Sequence, residues 1–236
     1  IGVFFNTAIP GAVSGDVVKG YYIVKQQPDG KGKSKAFATL LFDRVLGVSG
    51  LIMVAFVAML CNMTEMLSSP ALKTLVTFIT LTFTGMVVFY GFVLIEWKAA
   101  NRINELLKKA PGGEILSKVF EAVKCYEDNP MLVLKGFLFS VAIHSLIVFF
   151  IITVARQMGG FETVATSSFF LLTPLGLLVT AVPIAPAGLG TGHVAFFTLF
   201  QLVGARGGAD LFTAFVAFQI VVNLLGGVFY LRQGKR

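Results

Sequence analysis

FFNTAIPGAVSGDVVKGYY, residues 4–22, is apolar at both ends and interrupted in the middle. Pro10, Gly11 and Gly15 break the run, and Asp16 and Lys19 place an acid and a base at the break. In a soluble chain this would read as an ordinary loop between two helices. The composition around it decides otherwise. Hydrophobic residues make up 56% of the 236 and charged residues only 13%, against about 25% charged in a typical soluble domain. Mean hydropathy is +0.84. An integral membrane protein is the class that fits.

A helix needs roughly 20 apolar residues to cross a bilayer core. Four runs meet this: 45–62, 72–95, 131–155 and 211–231. A fifth, 164–182, holds Pro174 and Gly176. Two further segments, 1–24 and 183–203, are apolar but interrupted by Pro and Gly. The fold expected is an all-α polytopic membrane protein with about five regular transmembrane helices and two broken or re-entrant segments, forming one membrane domain over 1–236. The chain opens on Ile1 inside a hydrophobic run, so an N-terminal truncation is expected.

The net charge of +7 is concentrated in short stretches beside the spans. Lys25, Lys31, Lys33 and Lys35 precede the first regular helix. Lys98, Arg102, Lys108, Lys109, Lys118 and Lys124 occupy the longest polar connection, and Arg232, Lys235 and Arg236 end the chain. This is the positive-inside pattern and not a nucleic-acid footprint, and it places all three clusters in the cytoplasm of a cell (plasma or inner) membrane. The connection 96–130 carries two amphipathic pieces, with Ile103, Leu106 and Leu107 sharing a face in the first and Ile115, Val119, Phe120 and Val123 sharing one in the second. It reads as a cytoplasmic helical linker lying on the membrane. On this topology Cys61 and Cys125 lie on opposite sides, so no disulfide is expected between them.

The interrupted segments echo each other. TAIPGAVSGDVV (7–18) aligns with PAGLGTGHVA (186–195) with one inserted residue, matching Pro10 with Pro186, Gly15 with Gly192, Asp16 with His193 and Val17 with Val194. TAIP (7–10) also matches TAVP (180–183), which brings in Pro183. With Gly188 and Gly190 in the second copy, both halves carry a Pro/Gly-broken element followed by a long helix. On the charge topology the two copies run in opposite directions, an inverted repeat. Paired interruptions of this kind point to a transport site near the bilayer midplane.

Three stretches in this order and spacing carry a family resemblance: FFNTAIPGAVSGDVVKGYY, AFATLLFDRVLG (36–47) and PIAPAGLGTGHVAFF (183–197). The chain resembles the lysylphosphatidylglycerol synthase transmembrane-region family, a flippase-like membrane domain. The resemblance covers nearly the whole chain and implies movement of a phospholipid or lipid-linked headgroup between leaflets. Members usually begin with further helices, in keeping with the expected truncation. Many carry an acid or Gln close to where His193 stands, which is a departure here.

The residues expected to contact substrate are Asp16, Lys19, Asp43, Arg44, His193 and Asn6. Asp16 and Lys19 are three apart and share a helix face. An unpaired charge at the centre of a membrane helix costs about 2.5–3.5 kcal/mol on insertion scales, so pairing or a polar cavity is required. Ser14 or Asp16 suits the start of a half-helix whose amides face a phosphate, and Lys19 adds the positive charge. Asp43-Arg44 suits helix-to-helix pairing or headgroup contact. His193 suits headgroup binding or a satisfied buried imidazole, and His144 suits an interhelical hydrogen bond.

The residues contain no nucleophile triad, no carboxylate cluster and no metal-ligand spacing, so neither a metal nor a cofactor is expected. GLGTG lacks the strand and Lys of a phosphate-binding loop. Two other readings remain: the membrane part of a lipid-modifying glycosyl- or aminoacyl-transferase whose catalytic domain lies elsewhere, and a noncatalytic membrane partner. The partner expected is membrane phospholipid or a lipid-linked substrate, with a homo-oligomer or a separate soluble enzyme left open.

Overall fold

The computed structural model describes residues 4–5, 14–25, 32–94, 129–181 and 188–233, with single positions between 105 and 126. Asn6, Pro10, Gly11, Pro183, Pro186 and Cys125 lie outside the described residues, as do Ile103, Leu107, Ile115, Val119 and Val123. The helices are α1 (Ser14–Lys25), α2 (Gly32–Cys61), α3 (Met63–Met66), α4 (Pro70–Leu94), α5 (Pro130–Met158), α6 (Thr166–Thr180), α7 (Thr191–Gln201) and α8 (Gly208–Gln233).

Among the described residues, four helices are long and apolar enough to cross a membrane: α2 over Ala38–Cys61, α4, α5 and α8 over Gly208–Gly227. These coincide with the four strong runs of the sequence. The fifth run gives α6, whose 15 residues extend about 22 Å at ~1.5 Å per residue. That is short of the ~30 Å hydrocarbon core. α7 has 11 residues and extends only about 17 Å. Of the interrupted segment 183–203, residues 183–187 lie outside the described residues, and the remainder carries α7.

Directions follow from paired contacts. α2 and α5 run parallel, because Leu46 meets Gly136 and Gly50 meets Ser140 and His144. The connection 159–165 turns α6 back along α5. α7 is antiparallel to α6, with Gly176 under Phe196 and Gly188 against Thr180. α8 is antiparallel to α7, with Gly192 under Phe212 and Gly208 against Phe196. α8 consequently runs opposite to α2. The start of α2, the end of α4 and the start of α5 share one end of the bundle, here called proximal. The connections 62–69, 159–165 and 202–207 form the distal end.

α2 is the hub, packed on α1, α4, α5 and α6. Its approach to α5 depends on Gly50, where a Cβ would come within 2.9 Å of the Ser140 main-chain carbon. The Ser140 hydroxyl donates to the Leu46 carbonyl across that contact at 2.7 Å. Among lipid-like side chains there is no hydrophobic drive between helices, so close backbone approach and such bonds hold the pair. The His144 Nδ1–H donates to its own helix, at Ser140 O, 2.8 Å away. The interhelical bond expected of His144 is made by Ser140 instead.

The distal core is a phenylalanine cluster. Phe161, Phe169, Phe196, Phe200 and Phe212 are fully buried, with ring centroids 5.7 Å apart for Phe161–Phe200, 5.3 Å for Phe169–Phe200 and 5.0 Å for Phe196–Phe212. Such offset and edge contacts add to packing beyond area alone. In the connection before α5, Phe120 sets its ring against Phe92 at the end of α4. Tyr126 stacks on Phe42 of α2 at 3.9 Å.

Gly50→Ala is expected to force α2 and α5 apart and to cost about 1–3 kcal/mol, the usual penalty of overpacking. Gly47, with open space where its Cβ would stand, supplies the control. Unfolding of both variants in detergent checks this, and equal stability would refute the close-approach account.

Candidate functional site

α1 begins at Ser14 and carries Asp16 in its first turn, where a carboxylate is favoured by the exposed amides and the helix dipole. α1 packs antiparallel along α2. Gly20 of α1 rests near Leu40 of α2, and this register sets Asp16 and Lys19 beside Asp43 and Arg44. The sequence offered two separate pairs. The fold makes them one array.

Arg44 Nε donates to Asp16 Oδ2 at 2.9 Å, and Arg44 Nη2 donates to the same oxygen. Lys19 Nζ donates to Asp43 Oδ2 at 3.1 Å and stands 3.8 Å from Asp16 Oδ1. The order is Arg44, Asp16, Lys19, Asp43, with signs alternating and charges summing to zero. Asp16 is the most enclosed, at 15% side-chain exposure, and Asp43 the most open at 63%. Lys19 at 37% and Arg44 at 43% lie between. The array is thus anchored at Asp16 and accessible at Asp43 and Arg44. Arg44 Nη1 has no partner among the described residues.

Asp43 lies 18 residues before the end of α2 at Cys61, about 27 Å along the axis at ~1.5 Å per residue. With a core of ~30 Å, the array stands near the proximal boundary of the span, away from its middle.

His193 belongs elsewhere, between α7 and α8. Gly190, at φ +87°, takes a backbone conformation that favours glycine and opens α7. His193 is the third residue of that helix. Its Nδ1 accepts the Gly190 N–H at 3.2 Å, and Nε2 lies 3.0 Å from the Thr213 hydroxyl. The Thr213 hydroxyl donates to Ala209 O at 3.1 Å, so it can only accept from His193. Both ring nitrogens are therefore used by the neutral Nε2–H tautomer. The Phe212 ring closes the site edge-on at 4.9 Å. Of the two readings of His193, the geometry matches the satisfied imidazole, which pins the helix start to α8.

The matched positions Asp16 and His193 each stand third in a short helix and each reach to the long helix that follows. Gly15 and Gly192 precede them and both are buried. α7 and α8 are joined at the distal end, and α1 runs antiparallel to α2. This correspondence was visible in the aligned sequence, whereas the identity of the residues reached, Arg44 and Thr213, was not.

Arg156 was not singled out in the sequence. It ends α5 and donates to Phe161 O at 2.6 Å and Val164 O at 2.8 Å, tying the α5–α6 connection over the face of Phe169. Its signal was a cation in a last helical turn followed by Gly159-Gly160, a helix C-terminus pattern. In the same connection, the Glu162 carboxylate is held below the usual range, first by its own main-chain amide and then by that of Gly160.

The helices and this charge array define a multi-pass helical membrane protein. A model of the lysylphosphatidylglycerol synthase TM region matches residues 1–228, and the chain belongs to that family. No curated protein and no solved structure matches it.

Two outcomes test the geometry. In a double-mutant cycle of Asp16→Asn and Arg44→Gln, the coupling energy is expected between about 0.5 and 3 kcal/mol, the range for residues in one ion-pair network. A coupling indistinguishable from zero would refute the pairing. Nitrogen NMR of labelled His193 is expected to show the Nε2–H tautomer, and a dominant Nδ1–H form would contradict the assigned bonds.

Proposed function

We propose that the protein moves a phospholipid, or a lipid-linked headgroup, from one leaflet to the other. The observation that carries this reading is the alternating charge array at the edge of an otherwise apolar bundle. A structural ion pair needs one acid and one base. Four charges linked in a row, with an exposed carboxylate at one end and, at the other, a guanidinium nitrogen unpartnered among the described residues, allow partners to be exchanged. A lipid phosphate can take the place of a carboxylate at Arg44 or Lys19, while the released acid remains compensated by the next cation. The penalty of a bare charge in the membrane is thereby avoided at each stage.

Family membership supports a lipid as the substrate. The positive-inside distribution supports a plasma or inner membrane with the proximal end and the C-terminus in the cytoplasm, so that Asp16, Lys19, Asp43 and Arg44 would meet a headgroup on the cytoplasmic side. His193 would support the path by holding the start of α7 to α8.

The test is transfer of a headgroup-labelled phospholipid across reconstituted vesicles. Asp16→Asn and Lys19→Ala are each expected to slow transfer by about tenfold or more, the equivalent of ~1.4 kcal/mol, with helix content unchanged. Folded variants that transfer lipid at the original rate would defeat the proposal.

A further inference from the structure

Asp43 and Arg44 are neighbours on α2 and open onto different grooves. Asp43 borders a cleft towards α5 and Tyr126. Arg44 heads a groove between α2 and α4 of about 330 Å³, walled by Val45, Val48, Ile52, Met86 and Phe89. A third cleft of about 340 Å³ lies among α2, α5 and α6, and no charged side chain lines it. The α2–α4 groove thus joins an apolar trough to a cation.

We infer that the α2–α4 groove is the seat of one acyl chain of an anionic phospholipid, with the lipid phosphate at Arg44. The inference rests on the translocation reading and adds where the lipid waits and in which leaflet. Three features carry it. The first is orientation: the array lies near the proximal boundary of the span, and from Arg44 to Ile52 the groove runs about 12 Å along α2 towards the middle of the bilayer. A lipid of the proximal leaflet lies in this sense, headgroup at the boundary and chain inward.

The second is charge. Two of the three guanidinium nitrogens are spent on Asp16, and Nη1 remains to donate to a phosphate oxygen, the pairing for which Arg is suited. The third is what the groove alone cannot do. Lipid chains are as apolar as the groove wall, so an apolar trough in a bilayer has little preference for any chain. Selectivity must come from the charged head, and among these three clefts Arg44 heads this groove alone.

Gly85 supplies the test. It borders the groove, and a Cβ there would meet nothing within 4 Å, so a large side chain fills the trough without striking protein. The full chain is reconstituted in vesicles containing phosphatidylglycerol with a mid-chain diazirine, and the photolabelled peptides are mapped. Label is expected to concentrate on 45–52 of α2 and 82–89 of α4, to fall to background in Gly85→Trp, and to persist in Gly91→Trp, whose added Cβ also meets open space but which lies outside the groove. Diacylglycerol bearing the same chain is expected to label the groove less than phosphatidylglycerol does. Gly85→Leu is the smaller filler should the Trp variant fail to fold.

Label spread evenly over the lipid-facing sides of α4 and α5, or equal labelling by the two lipids, would overturn the inference. Leaflet transfer measured in the same vesicles separates it from the reading beneath it. Even labelling together with Asp16-dependent transfer removes the groove and leaves translocation standing. Groove-specific labelling with transfer unaffected by Gly85→Trp upholds the lipid seat and removes transport through it.

Discussion

Two acids and two bases on a single helical hairpin have to satisfy each other, because the surrounding bundle offers them almost nothing else. Asp16 sits at the point of least exposure and receives Arg44 from the neighbouring helix, while Lys19 bridges to Asp43. Removing either partner of a poorly solvated pair leaves a charge whose burial is costly, even where the intact pair contributes little net stability. The array therefore acts less as a source of stability than as a register device. It determines which residues of α1 face which residues of α2. Since α2 packs on α4, α5 and α6 as well, the register of this hairpin sets where the charged edge stands relative to every other groove.

The rest of the bundle is held by a different chemistry. Gly50 lets α2 close on α5, and Ser140 donates across the gap. Phenylalanines from α7 and α8 pack over glycines of the facing helices. Such contacts are rigid and leave the polar work to the two broken regions. Both regions place a polar side chain third in a short helix and direct it to the long helix that follows. One uses a carboxylate and a guanidinium. The other uses an imidazole that is fully bonded only when neutral, because a protonated ring could not accept the Gly190 amide hydrogen.

The long helices were legible because length and apolar composition alone determine a span. The short ones were legible in outline: 164–182 met the apolar criterion and holds α6, which ends at Thr180 and packs on α7. Sequence spacing gave the Asp16–Lys19 face correctly, since helical period fixes it. It could not give Asp16–Arg44, which depends on the register of α1 against α2. His193 shows the converse limit. Its residue type allowed a ligand or a structural pin, and only the positions of Gly190 and Thr213 distinguish them.

The central claim, that the four charges hold α1 in register on α2, is open to direct measurement by disulfide trapping in membranes. With Cys61 and Cys125 replaced by Ser, a Gly20→Cys, Leu40→Cys pair places two thiols where the helices touch. Rapid cross-linking is expected in this background, falling sharply when Asp16→Asn and Lys19→Gln are added. Equal cross-linking with and without the charges, or none in either, would contradict the account.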